Sequence, residues 1–230
     1  MEKKGTILNI PLFRKKLRGK TMPKAPASRE TVESIKDNII DEAVSLINEG
    51  GYADFSMRKL GSRLGIAAKT IYNYFSNRDE LYLKVVTRGF EILHECMSGA
   101  HSSATSPFTR IRAMAGAYVQ FGLDHPHHYN IMFSMDLPKY ADYIGTEHQE
   151  LAAMQNETAL QTARLAEKAF RDLAVKNRKL RGTPTTHHLM RVWATLHGIV
   201  SLHNSRVTLE VGDFRAAIDR IIDETVKEFR

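Results

Sequence analysis

Cysteine is almost absent: Cys96 is the only one in 230 residues, so no intrachain disulfide and no thiolate metal cluster can form. Its expected role is that of a small buried hydrophobe. Long apolar runs are missing too, and nothing approaches the run of about 20 residues that a membrane-spanning helix requires. The opening MEKKGTILNIPLF has a charged start and an apolar patch. Asn9 and Pro11 break that patch, and FRKKLRGK follows where a leader would carry a small-residue cleavage site. A soluble, cytoplasmic chain without membrane contact is the expectation. No stretch alternates apolar and polar residues with period two for long enough to make a strand. No nucleophile, base and orienting partner stand in a recognisable catalytic arrangement, so an enzyme is not expected.

Histidine is plentiful by contrast, with ten copies. His125, His127 and His128 cluster at a helix start, where their rings can face water. His197 and His203 are six residues apart, whereas a zinc pair on one helix face uses a spacing of four. No metal and no cofactor are expected, and His197 is expected to bond a neighbour in the core. Charge is unevenly placed. Residues 1–27 hold eight Lys and Arg against Glu2 alone, and the other 25 basic and 25 acidic residues cancel, so the whole net charge of +7 sits on this segment. With Pro11, Pro23, Pro26 and Gly19 it reads as a solvated arm. Such an arm contacts nucleic acid or another acidic surface, or else marks a start codon placed too far upstream.

From Ser28 onward apolar residues recur at spacings of three and four, which predicts an all-α protein. A first helix over about 30–49 aligns Ile35, Ile39, Ala43, Leu46 and Ile47 and stops at Gly50-Gly51. Ser56 is placed to cap a helix over about 57–63, and a short helix follows over about 67–74. A fourth begins at Arg78, Asp79 and Glu80 and carries Leu81, Val85, Val86, Leu93 and Met97 as its buried stripe. GAHSSATSP, residues 99–107, reads as a joint between two regions. Further helices are expected at about 108–124, 127–135, 146–179, 185–206 and 213–229. Thr146 and Gln149 have the form of a capping box, and the basic run KNRKLRG suits a helix C-terminus or, as the second reading, another DNA surface.

LGSRLGIAAKTIYNYFSNRDEL, residues 60–81, holds the most specific signal. Gly65, between Leu64 and Ile66, can take the left-handed backbone that a tight turn between two short crossing helices needs. That pattern is a helix-turn-helix, whose second helix can enter a DNA major groove. Leu60, Leu64, Ile66 and Ile71 would hold it to the first helix, with Ala68, Lys69, Thr70, Tyr72, Asn73 and Tyr74 near the outer side.

Together with IIDEAVSLINEGGY upstream, FSMRKLGSRLGIAAKTIYNYFSNRDEL resembles the DNA-binding module of the TetR family of bacterial transcriptional repressors, over about residues 30–90. The resemblance implies that Ser56, Arg58 and Tyr74 contact phosphate, that Arg78 is a DNA-binding residue standing where the family usually has lysine, and that Ala68, Lys69, Thr70, Tyr72 and Asn73 lie on or beside the recognition helix. Three positions depart from the family pattern: Ala67 stands for a capping Ser or Thr, Lys69 for a frequent Gly and Gly61 for a frequent Ala. VWATLHGIVSLHN resembles the Trp-x-x-x-His-Gly stretch of one TetR-type C-terminal domain through Trp193, His197 and Gly198.

The organisation expected is an arm over 1–27, a DNA-binding domain over 28–77, and a ligand-binding and dimerisation domain over 78–230. The resemblance implies a homodimer joined through its last two helices. Ala194, Gly198 and Ser201 permit close helix approach, and Ile218, Ile221, Ile222 and Val226 form a stripe that would need a partner. Candidates for an apolar effector cavity are Tyr118, Phe121, Met132, Phe133, Met154, Trp193 and His197. The function implied is a repressor that binds a double-stranded, pseudo-palindromic DNA operator and is released by a small, largely apolar molecule. A DNA-binding structural or nucleoid-associated protein of the same fold without an inducer is the alternative.

Overall fold

The structure, a computed structural model, describes residues 28–207 and 213–230. The basic segment 1–27 and most of the link before the last helix lie outside the described residues. All regular structure among the described residues is helical: α1 (Arg29–Asp54), α2 (Met57–Leu64), α3 (Ala68–Ile71), α4 (Arg78–Ser103), α5 (Pro107–Asp124), α6 (Pro126–Tyr129), α7 (Gln149–Lys176), α8 (Thr185–Asn204) and α9 (Phe214–Lys227). A π-helical turn, Asn130–Ser134, continues α6. Short 3-10 turns sit at Tyr140–Tyr143 and Arg178–Leu180.

Several element ends follow local chemistry. Ser28, Ser56, Asn77, Ser106 and Asp213 each accept from a first-turn amide of the helix they precede, which satisfies donors that have no partner inside the helix. Gly51 has φ 73° and breaks α1, yet one more turn follows to Asp54, so the helix closes later than Gly50-Gly51 suggests. At α7 the expected capping box is not formed. Thr146 Oγ1 donates to the Tyr143 carbonyl and Gln149 Oε1 accepts from the Gly145 amide, so the helix starts at Gln149. Its other end comes at Lys176, where Arg181 donates to the Ala174 and Val175 carbonyls.

Residues 99–103 are not a joint, because α4 runs unbroken to Ser103 and only Ala104–Ser106 turn the chain. One end of this 26-residue helix packs in each of two apolar clusters. The N-terminal cluster joins Ile39, Ala43 and Ile47 of α1, Leu60, Ile71 and Phe75 of the helix-turn-helix, and Leu81 and Val85 of α4. It also takes in Ile131, Leu137, Tyr143 and Ala152 from far along the chain. The second cluster joins Leu93 and Met97 of α4 to α5, α7, α8 and α9. Phe90 packs against both.

Two expectations about single faces are corrected here. Cys96 is exposed on α4. Ile218, Ile222 and Val226 are buried in their own chain's core and Ile221 packs against it, because α9 turns its apolar stripe onto α5 and α8. The outer side of α9 is left with Arg215, Asp219, Arg220, Asp223 and Glu224.

Candidate nucleic-acid interface and effector cavity

The bend between α2 and α3 rests on two glycines. Gly65 has φ 70°, and its amide reaches back to the carbonyls of Gly61 and Ser62. Gly61 brings the helices together: a Cβ there would lie 2.8 Å from the Ile66 carbonyl oxygen and 3.0 Å from the Ala68 nitrogen. The glycine at this position is therefore required by this turn's geometry. Arg63 fixes α2 to α1 by bonding Glu42 and Glu49. Ala67 precedes α3 with no side-chain cap, as its lack of a hydroxyl dictates, and α3 spans only Ala68–Ile71.

Ile71 and Phe75 anchor this short helix from below. Lys69, Tyr72 and Asn73 face solvent, with Tyr72 51% exposed, while Ala68, Thr70 and Tyr74 are half-buried around them. Ser56 caps α2 and Arg58, two residues on, is exposed. Arg78 differs from the rest. Its guanidinium carbon sits 4.4 Å from the centre of the Tyr52 ring, a cation-π contact at the base of α4.

Behind Arg78 lies a cluster that sequence reasoning missed. Tyr52 of α1 and Tyr143 of the 3-10 turn both donate to Asp79 Oδ1, at 2.7 and 3.1 Å. Tyr82 donates to the Pro138 carbonyl at 2.9 Å, and Asn48 donates to the His127 carbonyl at 3.1 Å. Burial, followed by the bond to Asp79, pushes the Tyr52 phenol up to about 12, so it remains a donor across the physiological range. The bonds from Tyr143 and Tyr82 tie the start of α4 to the segment between α6 and α7, Asn48 ties α1 to α6, and Tyr52 ties α1 to α4. Their partners are dozens of residues apart in the chain, so no local pattern announces them.

The second site is an apolar cavity of about 220 Å³ between α4, α5, α7 and α8. Tyr118, Phe133 and Trp193 line it, as expected, together with Phe90, Met114, Ala166 and Phe170 among others. Phe121 and Met132 lie in the core behind the wall, His197 is half-buried outside the lining, and Met154 is 66% exposed on α7, away from the cavity. Met154 is excluded because its side of α7 faces solvent.

A chain of hydrogen bonds runs beside the cavity. Trp193 Nε1 donates to the Tyr118 hydroxyl at 2.9 Å; the Tyr118 and Tyr129 hydroxyls are 3.1 Å apart; and the Tyr129 hydroxyl is 2.6 Å from His197 Nδ1. All three bonds are satisfied when Tyr118 donates to Tyr129 and Tyr129 to Nδ1, which assigns the imidazole proton to Nε2. Burial raises both phenols, so neither ionises near neutrality. The Trp-x-x-x-His spacing thus has a mechanical role: it sets Trp193 and His197 one turn apart on α8 as the two ends of one relay.

The π turn links the two sites. Its wider winding points Ile131 into the N-terminal cluster, Met132 into the C-terminal cluster and Phe133 at the cavity, three consecutive residues serving three surroundings. Next to it, His128 is buried with no partner for Nδ1 among the described residues, and burial, then His125, Arg88 and His127, depresses its pKa to about 4. Among the described residues no three His, Cys, Asp or Glu side chains come together as a metal site, and no helix is long and apolar enough to cross a membrane.

A helix-turn-helix carried on an all-helical body with an internal apolar cavity defines a class, that of the helix-turn-helix transcription regulators. Residues 39–85 match the family described as bacterial regulatory proteins, tetR family, and residues 111–227 match the Tetracyclin repressor-like C-terminal domain. The chain belongs to the TetR family and is a transcriptional regulator. The HTH-type transcriptional repressor KstR of Mycolicibacterium smegmatis is 27% identical over 81 residues, which is 35% of this chain and 40% of that protein, so the match spans less than half of the relative. Across the fold, a Rhodococcus sp. RHA1 protein of unknown function aligns with a TM-score of 0.66 and 20% identity, covering 90% of this chain and 97% of the other. FadR of Bacillus subtilis, solved with stearoyl-CoA, aligns with a TM-score of 0.62 and 16% identity over 84% of this chain and 97% of that one. At these identities the likeness is one of fold.

Proposed function

We propose that the chain is a ligand-responsive repressor that binds a pseudo-palindromic operator as a homodimer and leaves it when a small, largely apolar molecule enters the cavity. Two helix-turn-helix units about one DNA turn apart, or a multiple of it, would read the two half-sites. The observation that carries the reading is the π turn, on which Phe133 at the cavity wall lies two residues from Ile131 in the core of the DNA-binding unit. An effector that moves Phe133 moves Ile131 with it. It also loads the bonds from Tyr143 and Tyr52 to Asp79, next to Arg78.

An effector releases DNA only if it binds the released state more tightly than the DNA-competent one. The stearoyl-CoA held by the FadR relative and the repressor role of the KstR relative support the same reading. For the dimer, α8 offers the surface. Ala194 is exposed, Gly198 and Ser201 are half-buried, and a Cβ on Gly198 would meet nothing within 4 Å among the described residues. The test is a thermal-shift screen with apolar molecules followed by gel-shift release from the operator. Molecules that raise stability should also free DNA. Stabilisers that leave the complex intact would favour an architectural protein instead.

A further inference from the structure

Where α5 begins and α7 and α9 end, Lys176, Arg178 and Lys179 line one open cleft. No carboxylate side chain lines it with them. The nearby ones are engaged elsewhere: Asp172 pairs with Lys168, Asp223 with Arg112 and Glu228 with Arg191. Arg230 also lines the cleft but brings the carboxylate of the last residue, so the surplus is counted on the other three alone.

Basic residues commonly gather at a helix C-terminus because the macrodipole favours them there. Here that demand is already met. Arg181 donates to the Ala174 and Val175 carbonyls, and the Asn177 amide donates to the Leu173 carbonyl. Lys176, Arg178 and Lys179 are exposed, and among the described residues none of them forms an ion pair. The turn that carries them is held in place. Asn177 Oδ1 accepts from the Lys179 amide at 3.1 Å, its Nδ2 donates to the Phe229 carbonyl at 3.3 Å, and Leu180 is buried beneath. Like charges fixed around one concavity repel, and an anion between them removes that cost.

The remaining wall is apolar. Phe108 is half-buried, with the Arg230 guanidinium carbon 5.9 Å from its ring centre, and Leu173 and Phe229 close the floor. The volume, about 670 Å³, falls among those of small-ligand sites. α4, with 26 residues, puts about 39 Å between the helix-turn-helix and the turn that leads into the cleft. This charge is therefore no part of the recognition face. Nor does the cleft take any residue from α8, the helix that pairs the proposed dimer.

We propose that this cleft is a second ligand site, for a small phosphorylated molecule that sets at least two phosphate charges on Lys176, Arg178 and Lys179 and a flat body against Phe108. The Arg178 fork can hold two phosphate oxygens at once, and the lysines supply point charges. Phe229 meets Phe170 edge-on with ring centres 5.3 Å apart, and that pair separates the cleft from the apolar cavity.

The test is calorimetric titration of the full chain with pyrophosphate, adenosine diphosphate, adenosine and sulfate. Pyrophosphate should bind once per chain and at least tenfold tighter than sulfate, adenosine diphosphate at least threefold tighter again, and adenosine not at all. Arg178→Gln and Lys179→Gln should each weaken pyrophosphate about fivefold. Arg215→Gln, which removes the same charge from the outer side of α9, should stay within twofold. Phe108→Ala should bring adenosine diphosphate down to the level of pyrophosphate, and the exposed Arg178 and Lys179 variants decide the matter if that one folds poorly.

Pyrophosphate no tighter than sulfate, or an Arg215→Gln loss equal to that of Arg178→Gln, would overturn the site. Adenosine diphosphate no tighter than pyrophosphate would overturn the place given to Phe108. A tenfold loss of scrambled-duplex DNA binding in Arg178→Gln, with no pyrophosphate bound, would make the cleft a nucleic-acid surface instead.

Discussion

The Tyr129 hydroxyl sits 2.6 Å from Nδ1 of His197, and this contact joins α6 to α8 across the inner wall of the cavity. Through Tyr118 it extends to Trp193, which lines the cavity. The relay makes the position of α8 depend on the residues immediately before the π turn. Tyr129→Phe should leave Tyr118 and His197 each short of a partner, and denaturant unfolding should show a loss of about 1–3 kcal/mol. An unchanged midpoint would mean that water replaces the phenol at no cost.

Asp79 holds Tyr52 and Tyr143 on one carboxylate oxygen, linking α1 to the segment before α7. Tyr143→Phe removes one of these bonds and touches neither the cavity nor the DNA face. Effector affinity should be unchanged. The ratio of operator affinities without and with effector should shrink by roughly 2–12-fold, the equivalent of one net hydrogen bond. A variant with full coupling would place the transmission elsewhere.

Lys69 and Tyr72 stand clear of the fold beyond the bend. Lys69→Ala and Tyr72→Ala should fold normally and lose operator affinity. A residue that reads a base edge should relax preference at particular base pairs by about 1–3 kcal/mol, whereas a phosphate contact should weaken all sequences alike. Competition gel shifts with single-substituted operators distinguish the two, and wild-type binding by both variants would rule this face out.

Packing at Gly198 tests the dimer. Its neighbourhood inside the chain is open, so Gly198→Leu should leave the monomer fold intact by circular dichroism. If α8 pairs with a second α8, overpacking of about 1–3 kcal/mol at each copy should drive the protein to monomer in sedimentation. An undisturbed dimer would assign the interface to another face.

His128 gives the pH dependence a definite sign. Its folded pKa, about 4, lies below its ordinary 6.5, so the unfolded chain takes up the proton first. Stability is therefore complete above pH 6.5 and is lost as pH falls from 6.5 toward 4, by at most about 3 kcal/mol from this group. His128→Leu should flatten that part of the curve. A slope equal to that of wild type between pH 6.5 and 4 would assign the loss to other groups.

What the sequence determined was local. Gly65 takes a left-handed backbone, Ser56 and Asn77 each bond amides three residues on, and apolar residues at spacings of three and four make helices; such preferences act within a turn or two of the chain. The helix-turn-helix was legible for that reason. So was the pairing of Trp193 with His197 in the family stretch, although not what they hold. Tertiary packing decided the rest. A periodic stripe says that a face will be buried but not by what, so Ile218 and Ile222 turned into their own chain and Met154 turned out to water. The partners of the relay, Tyr118 with Trp193 and Tyr129 with His197, are 75 and 68 residues apart. The shared acceptor Asp79 lies 64 residues from Tyr143. Contacts at that separation exist only once α4, α5, α7 and α8 have settled against one another, because each side chain's partner is set by helix positions that no single helix specifies.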